Sequence, residues 1–526
     1  MKHIELFAGC GGLSLGLESA GFDLVFANEL SPMASETYAY NILGNDLELV
    51  REEKGAENVF WISSQFSRKE IKKRLRENPF FAAGLGPNKF SDIEEIDPKK
   101  LVRSLLVGSI IDLNKILDRN QILCGEISKS LEDRRVDLVS GGPPCQSFSL
   151  AGLRQHSNER NLLPWEFAKF VDKTKPKVAL LENVSGILRP FNIDKNKYYA
   201  WFEVAKAFAK VGYIPICLHI NAKYVGVGQN RPRFILLAIS EDIYKKNKNK
   251  SWFIEVEKTL SQFEIFYENI RSDKNVEYGC IDYIDIEKDH DIFKSELLKP
   301  LFQTTANEFT TVFDAIDDLR GTKVSESNYV RLINKILKNE HGLKINKFNN
   351  HILRSNNRRV KSRFRIYQVM SKLASNESKE IEMFLKSGGN SGISEQTILS
   401  ISKHWLLDTS GEKLNKPTEK EILTLLSSLY TKKQTQRALD KKRPAPAALS
   451  IPDDACHYHE SIECQRTLTV REMARIQSFP DWFLIKSKTT TGGTMRRFEV
   501  PQYTQIGNAV PPLLGKALGE VIRKWI

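Results

Sequence analysis

The first forty residues alternate short apolar runs with segments of helical spacing. "HIELF" reads as a buried strand, "LSLGLESA" as a helix, "DLVFANE" as a second strand and "MASETYAYNI" as a second helix. This rhythm predicts a parallel sheet covered on both faces, an α/β fold. Farther on, "VDLVS", "KVALLENV" and "RFILLAI" are further apolar runs of strand length. "WFEVAKAFAKVG" places Phe202, Ala205, Phe208 and Ala209 on one helical face and stops at a glycine.

Two stretches break the rhythm. Residues 46–120 are rich in lysine and arginine with weak periodicity, and read as an insertion within the α/β domain. Residues 241–440 lose the alternation altogether and predict a second domain. From "KKRPAPAALS" onward, residues 441–526 return to turn-rich and helical patterns, including "TVREMARIQSF" and "PPLLGKALGEVIRKWI".

Charge sharpens the reading of the middle region. The 526-residue chain carries a formal net charge of +13. Eleven Lys and Arg residues against one acid, Glu340, lie between Arg331 and Met370. Leu332, Ile336, Ile352, Phe364 and Ile366 are interleaved with them, which suits a surface that follows a phosphate backbone. No run of about 18 apolar residues suggests a membrane span, and "MKHIELFAGCGG" has no secretory apolar region. Seven cysteines without a C-x-x-C pair point to a reducing compartment, the cytoplasm.

Candidate chemistry gathers at the predicted strand ends. "ELFAGCGGLSLGL" follows a strand and opens a helix, so Gly9 and Gly11 allow a sharp turn and close approach by a nucleotide-like ligand. Glu29 ends the second strand, where an acid can bind both ribose hydroxyls. The pattern is not a full G-x-G-x-x-G, which favours an adenosyl group without a pyrophosphate. "SGGPPCQSFSLAG" corners Cys145 behind two prolines and two glycines. "LLENV" places Glu182 at a strand end, where it can share a proton with a ring nitrogen. "GQNRPRF" sets Arg231 and Arg233 on one face, one to hold a carbonyl or the glutamate and the other to meet phosphate. Together these groups suit methylation of a pyrimidine ring carbon, with a thiolate adding at carbon 6 and carbon 5 attacking a sulfonium methyl.

These motifs, in this order and followed by "RTLTVREMARIQSFP" and "QIGNAVPP", resemble those of the DNA (cytosine-5)-methyltransferase family of bacterial restriction-modification type. The resemblance covers about half the chain, in two blocks, 1 to about 240 and about 440 to 526. It implies a Rossmann-like S-adenosylmethionine-dependent methyltransferase domain in 1–240, completed by 441–526, with a separate target-recognition domain in 241–440. It implies Cys145 as nucleophile, Glu182 as the partner of cytosine N3, and Arg231 and Arg233 near the target base. Phe7, Gly9, Gly11, Glu29, Pro144 and Asn508 would line the S-adenosylmethionine pocket. Glu126 in "CGEIS" would stand where the family has an aspartate on the adenine amino group. Leu30 follows Glu29 where a larger side chain often covers the adenine, Gly228 precedes Gln229 where proline is common, and the insertion at 46–120 is longer than usual.

The implied substrate is double-stranded DNA whose target base is extruded. Ser147, Arg154, Arg160 and Gln229 would contact that DNA, the two arginines meeting phosphate or ordering a loop closed over the base. The resemblance also implies a prokaryotic monomer that protects host DNA beside a restriction endonuclease. A transfer-RNA cytosine-5 methyltransferase, an inactive DNA-binding relative and a dinucleotide oxidoreductase are the alternatives. "CHYHESIEC" gathers Cys456, His457, His459 and Cys464 at spacings that do not match the usual zinc patterns, so no metal is expected.

Overall fold

The structure is a computed structural model that describes residues 1–50, 56–86, 88–132, 134–144, 162–193, 196–305, 307–321, 324–432, 436–447 and 455–526. Nine strands form the central sheet: β1 (Lys2–Leu6), β2 (Asp23–Glu29), β3 (Val59–Trp61), β4 (Ser104–Val107), β5 (Leu138–Gly141), β6 (Val178–Val184), β7 (Tyr213–Asn221), β8 (Pro232–Ser240) and β9 (Ile284–Asp285). Their order across the sheet is β9-β7-β8-β6-β5-β1-β2-β4-β3. From β6 to β3 every pairing is parallel, whereas β8 runs antiparallel to both β6 and β7. The central strands are buried along almost their whole length, as apolar runs covered on both faces must be.

Helices cover the sheet: α1 (Gly12–Ser19), α2 (Pro32–Ile42), α3 (Pro79–Ala82), α4 (Ile110–Arg119), α5 (Gln121–Ser128), α6 (Leu163–Thr174), α7 (Ala200–Lys210) and α8 (Ser251–Arg271). Ser31 caps α2 through the Ala34 amide, with Pro32 opening the helix. The insertion is narrower than 46–120. Strands β3 and β4 and helix α4 lie inside that range yet are buried parts of the main sheet and its cover, so the excursion is confined to 62–103.

A second core is built by α9 (Arg358–Met370), α10 (Ser375–Ser387), α11 (Glu395–Ser402) and α12 (Glu419–Ser428) around Phe364, Ile381, Phe384, Ile401, Ile422 and Leu426. This also differs from the boundary expected at 241. Residues 241–337 pack into the first core through Phe253, Phe263, Leu301 and Ile333, and β9 pairs with β7 in the main sheet.

The C-terminal segment returns to the first core as α13 (Val470–Ile476), α14 (Gln502–Asn508) and α15 (Pro512–Trp525). Helix α15 lies along α1 at a glycine seam: a Cβ at Gly16 would stand 2.4 Å from the Pro512 carbonyl oxygen. In α13, Arg475 binds Asp481 at 2.7 Å and Asp318 at 2.5 Å, and Arg466 grips Glu472 with two nitrogens. These charges are buried but paired, so none is left uncompensated.

Candidate active site

The carboxyl edge of the parallel strands carries the site. Beyond β1, Phe7, Gly9 and Gly11 adopt positive φ, at 56°, 56° and 94°. The turn brings the Gly9 amide to Glu29, donating to Oε2 at 2.8 Å, while the Ser31 amide donates to Oε1 at 2.7 Å. Burial raises the Glu29 carboxyl above its usual range, and these amides oppose the rise. A Cβ at Gly9 would meet nothing within 4 Å, so the turn opens onto free space beside the carboxylate. That space and the acid at the end of β2 fit an adenosyl group held by its ribose hydroxyls.

Two strands away, the proline-rich loop leaves β5 against the end of β6. A Cβ at Gly142 would lie 2.9 Å from Glu182 Oε2. Glu182 Oε1 is 2.7 Å from Arg233 Nε, and both side chains are one-tenth exposed. Asn183 Nδ2 donates to the Pro143 carbonyl oxygen at 3.0 Å. Pro144, exposed, is the last described residue before the loop. Cys145, Ser147, Arg154 and Arg160 lie outside the described residues.

Arg231 has a different environment from its neighbour. Its side chain is buried, and Nη2 donates to the carbonyl oxygens of Gly507 and Ala509, both at 2.9 Å. These bonds hold the turn that exposes Asn508. Burial depresses the pKa of Arg231 well below the ordinary arginine range, with Arg233 adding to the depression. Its Nη2 is thus engaged at this joint. Gln229, expected at the DNA, is also buried; it accepts from Arg231 and donates to the Pro446 carbonyl oxygen at 3.3 Å.

Glu126 does not reach the cofactor edge. It lies in α5, which follows α4 back across the sheet and ends where the Val136 amide meets the Ser128 carbonyl, just before β5 begins. The strand-end position beside Glu29 belongs instead to Gly108 and Ser109, which follow β4; the Gly108 amide donates to the Glu29 carbonyl oxygen at 2.9 Å. The signal for them was the apolar run "SLLV" followed by a helix N-cap serine. Asn183, quoted in "LLENV" without a role, is the other residue that letters alone missed.

The residues of "CHYHESIEC" are otherwise engaged. Cys456 Sγ meets the Phe364 carbonyl at 3.8 Å, and His457 Nδ1 accepts from the His459 amide at 3.0 Å. Among the described residues, no group of three or more His, Cys, Asp and Glu is placed to hold a metal.

An open glycine turn, an acid at the end of β2 and a braced glutamate at the end of β6 define an α/β enzyme that takes an adenosyl group at its sheet edge. The chain belongs to the C-5 cytosine-specific DNA methylase family, whose model matches residues 1–60 and 112–524. It is thus a DNA cytosine-5-methyltransferase, with S-adenosylmethionine as cofactor and DNA as substrate. It is 25% identical over 526 residues to the type II methyltransferase M.DdeI of Desulfomicrobium norvegicum, covering 99% of this chain and 88% of that one. It is 23% identical to M1.HphI of Haemophilus parahaemolyticus, covering 100% and 87%. Among solved structures, Dnmt2 methyltransferase of S. pombe aligns with a TM-score of 0.37 at 12% identity, covering 100% of this chain and 98% of that one. Among the described residues, no helix is long and apolar enough to cross a membrane.

Proposed function

We propose that the enzyme methylates one cytosine within a specific duplex sequence, through a covalent bond between Cys145 and the extruded base. The observation that carries this reading is the joint between β6 and the proline loop. Glu182 stands beside Gly142 with one oxygen held by Arg233, and Asn183 ties down Pro143, two residues before Cys145. The Cys145 thiolate adds to carbon 6 while Glu182 shares a proton with N3, which leaves carbon 5 electron-rich. Bound S-adenosylmethionine supplies an electrophilic methyl group to that carbon. Loss of the carbon-5 proton then restores the ring and expels the thiolate. Phe7, Gly9, Gly11, Glu29, Pro144 and Asn508 hold the cofactor, and Arg231 and Gln229 act as positioning residues behind Asn508.

The second core is read as the target-recognition module. Lys344, Arg358 and Arg359 are exposed just ahead of it or at its start, beside the exposed Ile352 and Leu353. Arg354 lies 5.6 Å from the Tyr503 ring centroid in α14, so the basic stretch abuts the catalytic side. Ser147, Arg154 and Arg160 contact DNA from the loop after Cys145. Because the relatives are type II methyltransferases, the biological reading is a prokaryotic cytoplasmic monomer that protects host DNA beside a restriction endonuclease.

Duplex DNA carrying 5-fluorocytosine, incubated with S-adenosylmethionine, tests the chemistry. A complex that survives denaturation, bonded through Cys145 and missing in Cys145→Ala, is the expected result. Methylation of normal DNA by Cys145→Ala would overturn the covalent route.

A further inference from the structure

The edge strand β9 and the turn after it lie beyond residues 1–240, where the motifs place the chemistry, yet their acids reach back to the catalytic strand ends. β9 runs parallel to β7, with Asp285 opposite His219. His219 stands opposite Phe234 of β8, and Phe234 opposite Asn183 of β6. Residues directly opposite one another in a sheet share a face. Asp285, His219, Phe234 and Asn183 therefore form one row across the strands. It ends on Asn183, the residue tied to the Pro143 carbonyl and so to the loop toward Cys145.

Polar contacts run along this row. His219 Nδ1 lies 3.2 Å from Asp285 Oδ1, and Nε2 lies 2.9 Å from Ser185 Oγ, at the first residue beyond β6. With its ring proton on Nδ1, the imidazole faces the carboxylate and accepts from the hydroxyl. Asp285 is itself held: Oδ1 accepts from the Glu287 amide at 3.0 Å, and its own amide donates to Asp289 at 2.8 Å. The ties at Asn183 and Ser185 fix β6 one and three residues past Glu182.

Glu287 braces the other half of the pair. Its Oε1 is 2.8 Å from Lys223 Nζ and accepts from Asn221 Nδ2 at 3.2 Å, while Oε2 accepts from the Tyr224 hydroxyl at 2.8 Å. Asn221 Oδ1 in turn accepts from the Arg231 amide at 3.0 Å. The turn that Glu287 grips leads into "NRPRF", and so to Arg233, whose Nε holds Glu182. One short segment at the outer edge thus reaches both the strand of the carboxylate and the strand of the guanidinium.

We propose that Asp285 and Glu287 are positioning residues for methyl transfer, setting Glu182 and Arg233 against each other from the far edge of the sheet. A contact of 2.7 Å between side chains of two antiparallel strands keeps its geometry only while both strand ends are held. The inference rests on the reading of Glu182 as the N3 partner and adds to it two residues from outside both motif blocks.

A double-mutant cycle on the full chain tests it, with tritiated S-adenosylmethionine and long unmethylated duplex DNA under single-turnover conditions. Asp285→Ala and Glu287→Ala should each slow methyl transfer by about tenfold. Calorimetric affinity for S-adenosylhomocysteine should stay within about threefold. In a Glu182→Ala background, where no carboxylate is left to place, the same substitutions should cost less than about twofold. Asp285→Asn and Glu287→Gln keep the shape of each side chain and should show smaller losses with the same dependence on Glu182, so the cycle does not rest on the alanine variants folding. Equal losses in both backgrounds, an unchanged rate in the folded single variants, or a fall in cofactor affinity that matches the fall in rate overturns the positioning role while leaving the reading of Glu182 in place. Methyl transfer at the parental rate by Glu182→Ala alone would overturn that reading itself.

Discussion

Asn183 donates a hydrogen bond to the Pro143 carbonyl oxygen at 3.0 Å, and that bond joins the strand carrying Glu182 to the loop carrying Cys145. The two groups proposed to react follow different strands, so their separation is set by what fastens one strand end to the other. Asn183→Ala removes the fastener without touching either group. Methyl transfer should fall by about 10–100-fold, since a misplacement of an ångström is costly in a preorganised site. S-adenosylhomocysteine affinity should stay within about threefold, because the contact is not part of the cofactor pocket. Single-turnover kinetics and calorimetry separate the two effects.

Arg231 closes a different joint. One nitrogen, Nη2, serves both the Gly507 and Ala509 carbonyls, so the turn around Asn508 depends on a single buried cation. In Arg231→Met both carbonyls lose their partner, that of Ala509 in a buried position. A stability loss of about 2–4 kcal/mol is expected from two such charge-assisted bonds. Cofactor affinity should fall as well, through Asn508. Urea unfolding and cofactor titration on the same preparation check the pair of effects.

The chain showed its sheet through burial and hid it where burial was brief. Strands β1, β2, β5 and β6 are apolar runs between clear turns, and all were legible. β3 and β4 have three and four residues and sit among lysines, so their apolar signal was swamped. Missing β4 had a direct consequence for the site. An acid was sought by its letters and found at Glu126, when the strand end that faces Glu29 is followed by Ser109. The antiparallel direction of β8 was available in principle. The link from β7 is too short for a crossover back to a parallel start, and only a hairpin fits. The boundary of the second core was not legible, because residues 241–337 have the polar composition of a separate domain while one face of each helix packs on the first core.

Glu5 gives a pH dependence that can be isolated. Its side chain is buried in β1 against Ser14, whose hydroxyl donates to it and lies 2.7 Å from the Tyr38 hydroxyl. Burial pushes the carboxyl up from 4.5 to about 8, despite the Ser14 hydrogen bond. A raised folded-state value means that the protonated form is favoured by folding. The stability it contributes is complete below about pH 4.5 and is lost as pH rises through about 8. Glu5→Gln keeps the shape and a hydrogen-bond acceptor but cannot ionise. The difference in melting temperature between Glu5→Gln and the parent should therefore grow in favour of the variant from pH 5 to pH 8. A difference that stays flat across that range would show that Glu5 does not titrate on unfolding.

Arg233 and Glu182 form the last testable pair, and the two substitutions should fail in different ways. Arg233 Nε holds one carboxylate oxygen at 2.7 Å, which leaves the other beside Gly142, on the side of the loop to Cys145. Glu182→Gln keeps the hydrogen-bonding shape but cannot pass a proton to N3, so methyl transfer should drop by about 10²–10⁴-fold. Arg233→Lys keeps a positive charge but loses the Nε–H that faces the carboxylate, and a point charge does not fix the carboxylate plane as a guanidinium does. Its rate should fall less, by about 10–100-fold, through poorer placement of the same general acid. Single-turnover methyl transfer by the two variants separates the mechanisms. A loss in Arg233→Lys as deep as that in Glu182→Gln would show that the guanidinium does more than place the carboxylate.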